Sequence, residues 1–99
     1  MRFPDWEKRL NDFCRQRMNQ PDQTDFVADA VMAMTGMPDV SSDVLEMLPS
    51  VKLARRGDIV SMADNFGIVS LDGMRALFPD KDGLIRVAVL DCDSAWRVA

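Results

Sequence analysis

The strongest candidate nucleophiles in this sequence are two cysteines, Cys14 and Cys92, and the chain contains no histidine. A catalytic cysteine needs a neighbouring base, usually an imidazole, to stabilise the thiolate that attacks the substrate. Cys14 falls at helical spacing with Leu10 and Phe13, which is typical of a side chain packed in the core. Cys92 lies between two aspartates, whose negative charges raise the pKa of a thiol. We therefore expect both cysteines to have structural roles.

Carboxylates dominate the middle of the chain. Residues 18–51 contain no Lys or Arg, and the whole chain has a net charge of −4. An acidic surface repels nucleic-acid phosphates and attracts Lys and Arg on another protein. We therefore expect no direct nucleic-acid binding, but a patch that binds a partner with a basic surface. The patch is predicted to contain Asp22, Asp25, Asp29, Asp39, Asp43 and Glu46. The alternative interpretation is a solvated helix face.

No metal site and no cofactor are predicted. The two thiols are far apart in the sequence, no imidazole is present, and the acidic residues lack the spacing of a calcium-binding loop. Asp58, Asp64 and Asp72 fall at predicted strand starts and turns, where aspartate is favoured by local hydrogen bonds. Their spacing does not predict a catalytic carboxylate pair.

These residues must be positioned by helices in the first half of the chain. The first helix follows Pro4, and its apolar residues recur at helical spacing. The second covers residues 23–35 and ends at Gly36, a typical C-terminal stop. A short third helix is predicted over residues 44–48, after two serines that suit its N-terminus.

After residue 50 the pattern changes to short apolar segments separated by turns. Strands are predicted over residues 58–62, 66–71, 74–78, 84–90 and 95–98. The pair Asp72-Gly73 is the strongest turn signal, because glycine tolerates a positive φ. We expect a single α+β domain with a helical part, residues 1–50, and an antiparallel β part, residues 51–99. In it, two to three helices pack on a small sheet or partial barrel of four to five strands.

Several segments carry a family resemblance. Residues 22–36 begin Asp-Gln-Thr-Asp-Phe, residues 54–60 read Ala-Arg-Arg-Gly-Asp-Ile-Val, and residues 65–69 read Asn-Phe-Gly-Ile-Val. Together with residues 83–98, these stretches resemble the NlpC-type cysteine peptidases of the papain superfold, in particular the short members carried by phages and prophages. In that family the helix begins with Asp-Cys, which supplies the nucleophile. A later strand reads His-x-Gly-Ile, which supplies the base.

The sequence departs from this family at the catalytic positions. Gln23 stands where the resemblance places the nucleophilic cysteine, and Asn65 stands where it places the histidine. The resemblance therefore implies a peptidase framework without its catalytic pair, and a protein that is not an enzyme. Gln23 and Asn65 would be left as a polar pocket for an amide-bearing ligand or, alternatively, as exposed polar residues of a helix and a loop.

We therefore expect a non-catalytic phage or prophage accessory protein that binds another protein through its acidic, methionine-containing segment. It would inhibit a host defence complex in the manner of an anti-CRISPR protein, or it would assist tail assembly. One alternative is an NlpC-like hydrolase that uses Cys14 or Cys92. The other is a homo-oligomeric structural module.

The sequence predicts no association with a membrane. No apolar run approaches the roughly 20 residues that a membrane-spanning helix requires. The polar residues near Met1 come too early for a signal peptide. We expect a cytoplasmic protein, which would lie in the host cytoplasm if a phage encodes it.

Overall fold

The computed structural model describes residues 3–18, 26–36, 45–80 and 83–98. Within these ranges, two helices, α1 (Trp6–Arg17) and α2 (Phe26–Thr35), precede six strands. The strands are β1 (Leu45–Met47), β2 (Ile59–Met62), β3 (Asn65–Val69), β4 (Arg75–Asp80), β5 (Gly83–Ala88) and β6 (Ser94–Val98). Two short 3-10 helices, Val51–Leu53 and Val89–Asp91, precede β2 and β6. The predicted α+β class is confirmed. Neither described helix is long and apolar enough to cross a bilayer.

Helix α1 forms where charge placement and apolar spacing agree. Glu7 in the first turn and Arg15 and Arg17 in the last turn complement the helix dipole. Leu10 and Cys14, one turn apart, are its buried residues. The predicted apolar face of the first helix is therefore confirmed.

Helix α2 packs through its apolar residues and ends at the predicted glycine. Val31 and Met34 are fully buried. The N–H of Gly36 donates to the carbonyl of Met32 at 2.7 Å. Gly36 has a φ of +76°, and a Cβ there would lie 2.8 Å from the Phe3 ring. Both the backbone conformation and the close ring therefore favour glycine at this stop. The first residues of the predicted helix, 23–25, lie outside the described residues.

All six strands form one open antiparallel sheet rather than a closed barrel. The strand order is β1-β6-β2-β3-β4-β5, so β1 and β5 are the edge strands. Side chains alternate between the two faces, and each face has its own core. On one face, Ile59 and Ile68 pack against α1 and α2. On the other, Val60 and Phe78 pack with residues such as Val89, and no described α-helix covers them.

Two expectations about the elements are wrong. Residues 45–47 form β1 rather than part of a third helix, because Leu45 pairs with Val98 and Met47 pairs with Trp96 of β6. This extra strand brings the sheet to six strands instead of four to five. It also lies within the part of the chain that was predicted to be helical. Leu48, also part of that predicted helix, is not helical, and residues 41–44, its start and its caps, lie outside the described residues.

The turn signal between β3 and β4 is confirmed. Gly73 has a φ of +73°. Asp72 Oδ1 accepts hydrogen bonds from the N–H groups of Met74 and Arg75, at 2.8 Å and 3.0 Å, and from Ser70 Oγ at 2.9 Å. These donors, led by the two backbone N–H groups, hold the pKa of Asp72 below its usual value. The role of Asp72 is therefore local and structural.

Candidate functional site

Both cysteines are free and buried. Cys14 belongs to the core between the helices and the sheet, and burial raises the pKa of its thiol to about 11. Cys92 lies in the core of the opposite face. Burial, and then the charges of Asp91 and Asp93, raise the pKa of Cys92. At neutral pH both side chains are protonated thiols, which are poor nucleophiles. Their environment agrees with the structural roles expected for them.

The structure describes two of the six residues of the predicted acidic patch. Asp29 of α2 pairs with Arg17 of α1, with 3.2 Å between Oδ2 and Nη2. Glu46 is exposed on β1 and lies directly opposite Arg97 of β6. The ion pair with Arg17 reduces the charge that Asp29 can offer to a partner, and Glu46 has Arg97 as its neighbour across the strands. The other four acidic residues, Asp22, Asp25, Asp39 and Asp43, lie outside the described residues.

No group of three or more metal-ligating side chains is found within residues 3–18, 26–36, 45–80 and 83–98. Asp58, Asp64 and Asp72 of the β part do not form such a group.

A groove of about 550 Å³ lies at one end of the helix-covered face of the sheet. The first residues of α2, Phe26 and Val27, form one wall. Strand side chains form the floor and the far wall, and they come from β1, β2, β3, β4 and β6. These residues are Leu45, Ile59, Phe66, Pro79 and Trp96. The lining is mainly apolar, because the described parts of the two helices do not fully cover these strand residues.

An aromatic pair lies in this groove. The ring centroids of Phe66 and Trp96 are 5.7 Å apart, and the rings are inclined by 47°. The strand register brings them together, because β2 lies between β3 and β6 and pairs Ser61 with Phe66 and Ile59 with Trp96. Half of the Phe66 surface is exposed, at 50%. An aromatic pair that is partly exposed in an apolar groove is common at protein-binding surfaces.

Asn65, one of the two positions singled out by the family resemblance, lines this groove. It is the exposed first residue of β3, beside Asp64 in the tight turn between β2 and β3. Ala63 in this turn adopts a left-handed φ of +55°. Its N–H donates to Asp93 Oδ2 at 2.9 Å. The turn therefore holds Asp64 and Asn65 at the rim of the groove.

Gln23, the other position, lies outside the described residues. Phe26, which follows Gln23 by three residues in the sequence, lines the same groove as Asn65. The sequence patterns did not identify Phe66, Trp96 or Leu45 as site residues. Alternation along a strand shows which residues share a face, but only the register across neighbouring strands shows which of them meet.

Comparison with known proteins gives one match. No curated protein and no solved structure matches the chain significantly. A family model described as a domain of unknown function, DUF6950, matches residues 37–98, which include every strand of the sheet and Asn65, Phe66 and Trp96 of the groove. Because this match covers more than half of the sequence, the chain belongs to the DUF6950 family.

Proposed function

We propose that this protein is a non-catalytic binding protein that holds a segment of a partner protein in the groove between α2 and the sheet. The observation that carries the proposal is the half-exposed ring of Phe66 against Trp96, in a groove of about 550 Å³. Covering apolar surface is worth about 25 cal/mol per Å², so burying these rings against a partner is favourable. The groove replaces the acidic segment as the centre of the proposed contact.

The charge of the rim indicates the chemistry of that segment. Among the described residues that line the groove, Asp64 supplies one carboxylate, and none is Lys or Arg. The whole chain is also acidic, with a net charge of −4. Asn65 can donate to and accept from a peptide backbone. The segment that fits best carries an apolar side chain next to a Lys or Arg, in agreement with the basic partner surface expected from the sequence.

Two features favour binding over hydrolysis. Neither thiol lines the groove, and burial raises the pKa of both Cys14 and Cys92. The chain also has no histidine to act as a base. The resemblance to phage-borne NlpC-type proteins supports an accessory role, either as an inhibitor of a host defence complex or in tail assembly, and both roles would use a protein contact. The two free thiols support a cytoplasmic setting.

A randomised peptide library tests the proposal. We expect selection on the wild-type protein to enrich peptides that combine apolar residues with Lys or Arg. The Trp6→Phe variant leaves Trp96 as the single tryptophan, so its fluorescence reports binding in the groove. Phe66→Ala should weaken binding of the selected peptides at least about tenfold, which corresponds to about 1.4 kcal/mol.

Leu90→Ala is the matched control, because Leu90 is 68% exposed and does not line the groove. Equal losses of peptide affinity in Phe66→Ala and Leu90→Ala would contradict the proposal. Selected peptides that do not change Trp96 fluorescence would contradict it as well. The mass in dilute solution tests the homo-oligomer alternative. A dimer that dissociates in Phe66→Ala would show that a second copy occupies the groove instead.

A further inference from the structure

A second cavity, of about 310 Å³, has a different character from the groove. Three arginines line it, together with Trp6, Asp58 and Val98. The arginines are Arg55 and Arg56, which precede β2, and Arg97 of β6. Three guanidinium groups around one cavity are notable in a chain with a net charge of −4.

A rigid turn presents two of these arginines. The N–H of Asp58 donates to the carbonyl of Arg55 at 2.9 Å, and the N–H of Arg55 donates to Asp58 Oδ2 at 2.8 Å. Gly57 adopts a φ of +81° between them. The N–H of Gly57 donates to the carbonyl of Val69 at 2.9 Å, which ties the turn to the end of β3. Because the backbone is already ordered, a ligand would bind without the cost of ordering this loop.

Asp58 also holds the third arginine. Its carboxylate is 2% exposed and lies 3.6 Å from Arg97 Nη2, which in turn donates to the carbonyl of Leu53 at 3.1 Å. The Arg97 side chain is 40% exposed, so part of its guanidinium faces the solvent. Arg56 Nη1 lies 2.6 Å from Glu7 Oε2, and both side chains are about half exposed. Arg55 is exposed at the same cavity.

The charges around the cavity favour an anion. Arg97 pairs with Asp58 and Arg56 pairs with Glu7, whereas no carboxylate among the described residues pairs with the guanidinium of Arg55. A guanidinium carries five N–H donors in a planar fork, so Arg55 and the exposed part of Arg97 can offer donors to a ligand. Donors from several directions suit the three terminal oxygens of a phosphate group better than the two oxygens of a carboxylate. Trp6 and Val98 add an apolar wall.

We propose that this cavity binds a phosphate monoester, with the phosphate on Arg55, Arg56 and Arg97 and the organic part of the ligand against Trp6. This inference is independent of the proposed protein-binding groove. The two tryptophans of the chain lie in different cavities, so each can report on one site. Failure of one proposal is therefore distinguishable from failure of the other.

The test uses the Trp96→Phe variant, in which Trp6 is the single tryptophan. Phenyl phosphate, inorganic phosphate and benzoate are titrated while Trp6 fluorescence is recorded, and calorimetry on the wild-type protein measures the same three affinities. We expect saturable binding of phenyl phosphate, weaker binding of inorganic phosphate, and the weakest binding of benzoate. Added salt should weaken phenyl phosphate binding, because the contact is ionic.

Variants with matched charge changes decide the outcome. Arg55→Gln should weaken phenyl phosphate binding about tenfold. Glu7→Gln should strengthen it several-fold, because this change removes a carboxylate that competes for Arg56. Arg86→Gln, at an exposed arginine of β5 that does not line this cavity, is the control and should leave the affinity unchanged.

Three results would overturn the proposal. The first is the absence of both heat and fluorescence change with phenyl phosphate. The second is benzoate binding as tight as that of phenyl phosphate, which would show that phosphate is not recognised. The third is an equal loss of affinity for phenyl phosphate in Arg55→Gln and Arg86→Gln, which would show that only net charge matters. Thermal unfolding of each variant verifies that the fold is intact.

Discussion

The groove and the arginine-lined cavity are built in different ways. Each contains one of the two tryptophans, Trp96 in the groove and Trp6 in the arginine-lined cavity. The groove is a part of the sheet face that the helices do not cover, and strand register assembles its aromatic pair. The arginine-lined cavity depends instead on a four-residue turn and the buried carboxylate of Asp58. One site is a product of sheet packing, and the other is a product of local hydrogen bonds and charge.

This difference predicts how each site responds to its surroundings. Affinity in the groove would come mainly from apolar burial, which added salt changes little. Affinity in the arginine-lined cavity would come mainly from charge, which salt screens over a Debye length of about 8 Å at physiological ionic strength. Substitutions at the turn and in the sheet can therefore test whether the two sites are independent.

The largest loss of folding stability is expected when Asp58 is replaced. Asp58→Ala leaves Arg97 without its buried partner and removes the acceptor of the Arg55 N–H. Removal of one partner of a buried ion pair costs about 3–5 kcal/mol, and the solvent-exposed part of Arg97 places this case near the lower value. Chemical denaturation measures the loss. Phenyl phosphate binding should disappear, whereas molecules that remain folded should keep groove binding. Unchanged stability would show that Asp58 does not organise the turn.

A smaller loss of folding stability is expected when Gly67 in β3 is replaced. A Cβ there would lie 2.6 Å from the Leu77 carbonyl oxygen and 2.9 Å from the Phe78 ring. Gly67→Ala should therefore force β3 and β4 apart and destabilise the protein by about 1–3 kcal/mol. Gly67 pairs with Val60 and points to the face opposite the groove. The affinity of folded molecules for groove peptides should therefore remain within a factor of about two. A denaturation midpoint equal to that of the wild type would contradict the close contact.

The third prediction concerns the hydrolase alternative, which needs a reactive thiol. Burial raises the pKa of the Cys14 thiol to about 11, so the unfolded chain releases this proton at a lower pH than the folded protein. The stability that Cys14 contributes is complete below about pH 8.5 and is lost as the pH rises toward 11. Denaturation from pH 8 to pH 10.5 should show a steeper decline of folding stability in the wild type than in Cys14→Ala.

Thiol labelling near pH 6 should be slow in native protein, and rapid labelling would favour the hydrolase alternative.

The smallest effect is expected in the turn at the groove rim. Ala63 has a φ of +55°, a conformation that glycine adopts at lower cost. Ala63→Gly should stabilise the protein by up to about 1 kcal/mol and preserve groove binding. Ala88→Gly is the matched control, because Ala88 has a φ of −60°. This variant should lose about 0.5–1 kcal/mol of folding stability instead. Thermal unfolding compares the two. Destabilisation by Ala63→Gly would show that the turn is not strained.

Local patterns predict much of this fold because the elements concerned are locally encoded. The buried positions of α1, Leu10 and Cys14, follow helical spacing, and Gly36 and Asp72-Gly73 mark a stop and a turn. Residues 45–47 did not follow this rule, because a short apolar run fits a helix or a strand equally well. Pairing with β6 decides in favour of a strand, and that information lies far away in the sequence.

The sites were harder to predict than the elements. Asn65 was singled out by resemblance and lines the groove, but its neighbour Phe66 contributes more apolar surface to it. The arginines of the second cavity come from the segment before β2 and from β6, which become neighbours only when Ile59 pairs with Trp96. Patterns within one segment carry no information on such encounters between distant segments.

The groove and the arginine-lined cavity both depend on the position of strand β6. Trp96 and Arg97 are consecutive, so alternation along the strand sends one residue to the groove and the next to the arginine-lined cavity. If β6 slipped by a single position against β2, the indole and the guanidinium would exchange sides, and both proposed sites would be lost together. A variant that binds neither ligand is thus expected to be misfolded. A variant that loses binding of only one ligand is altered at that site alone.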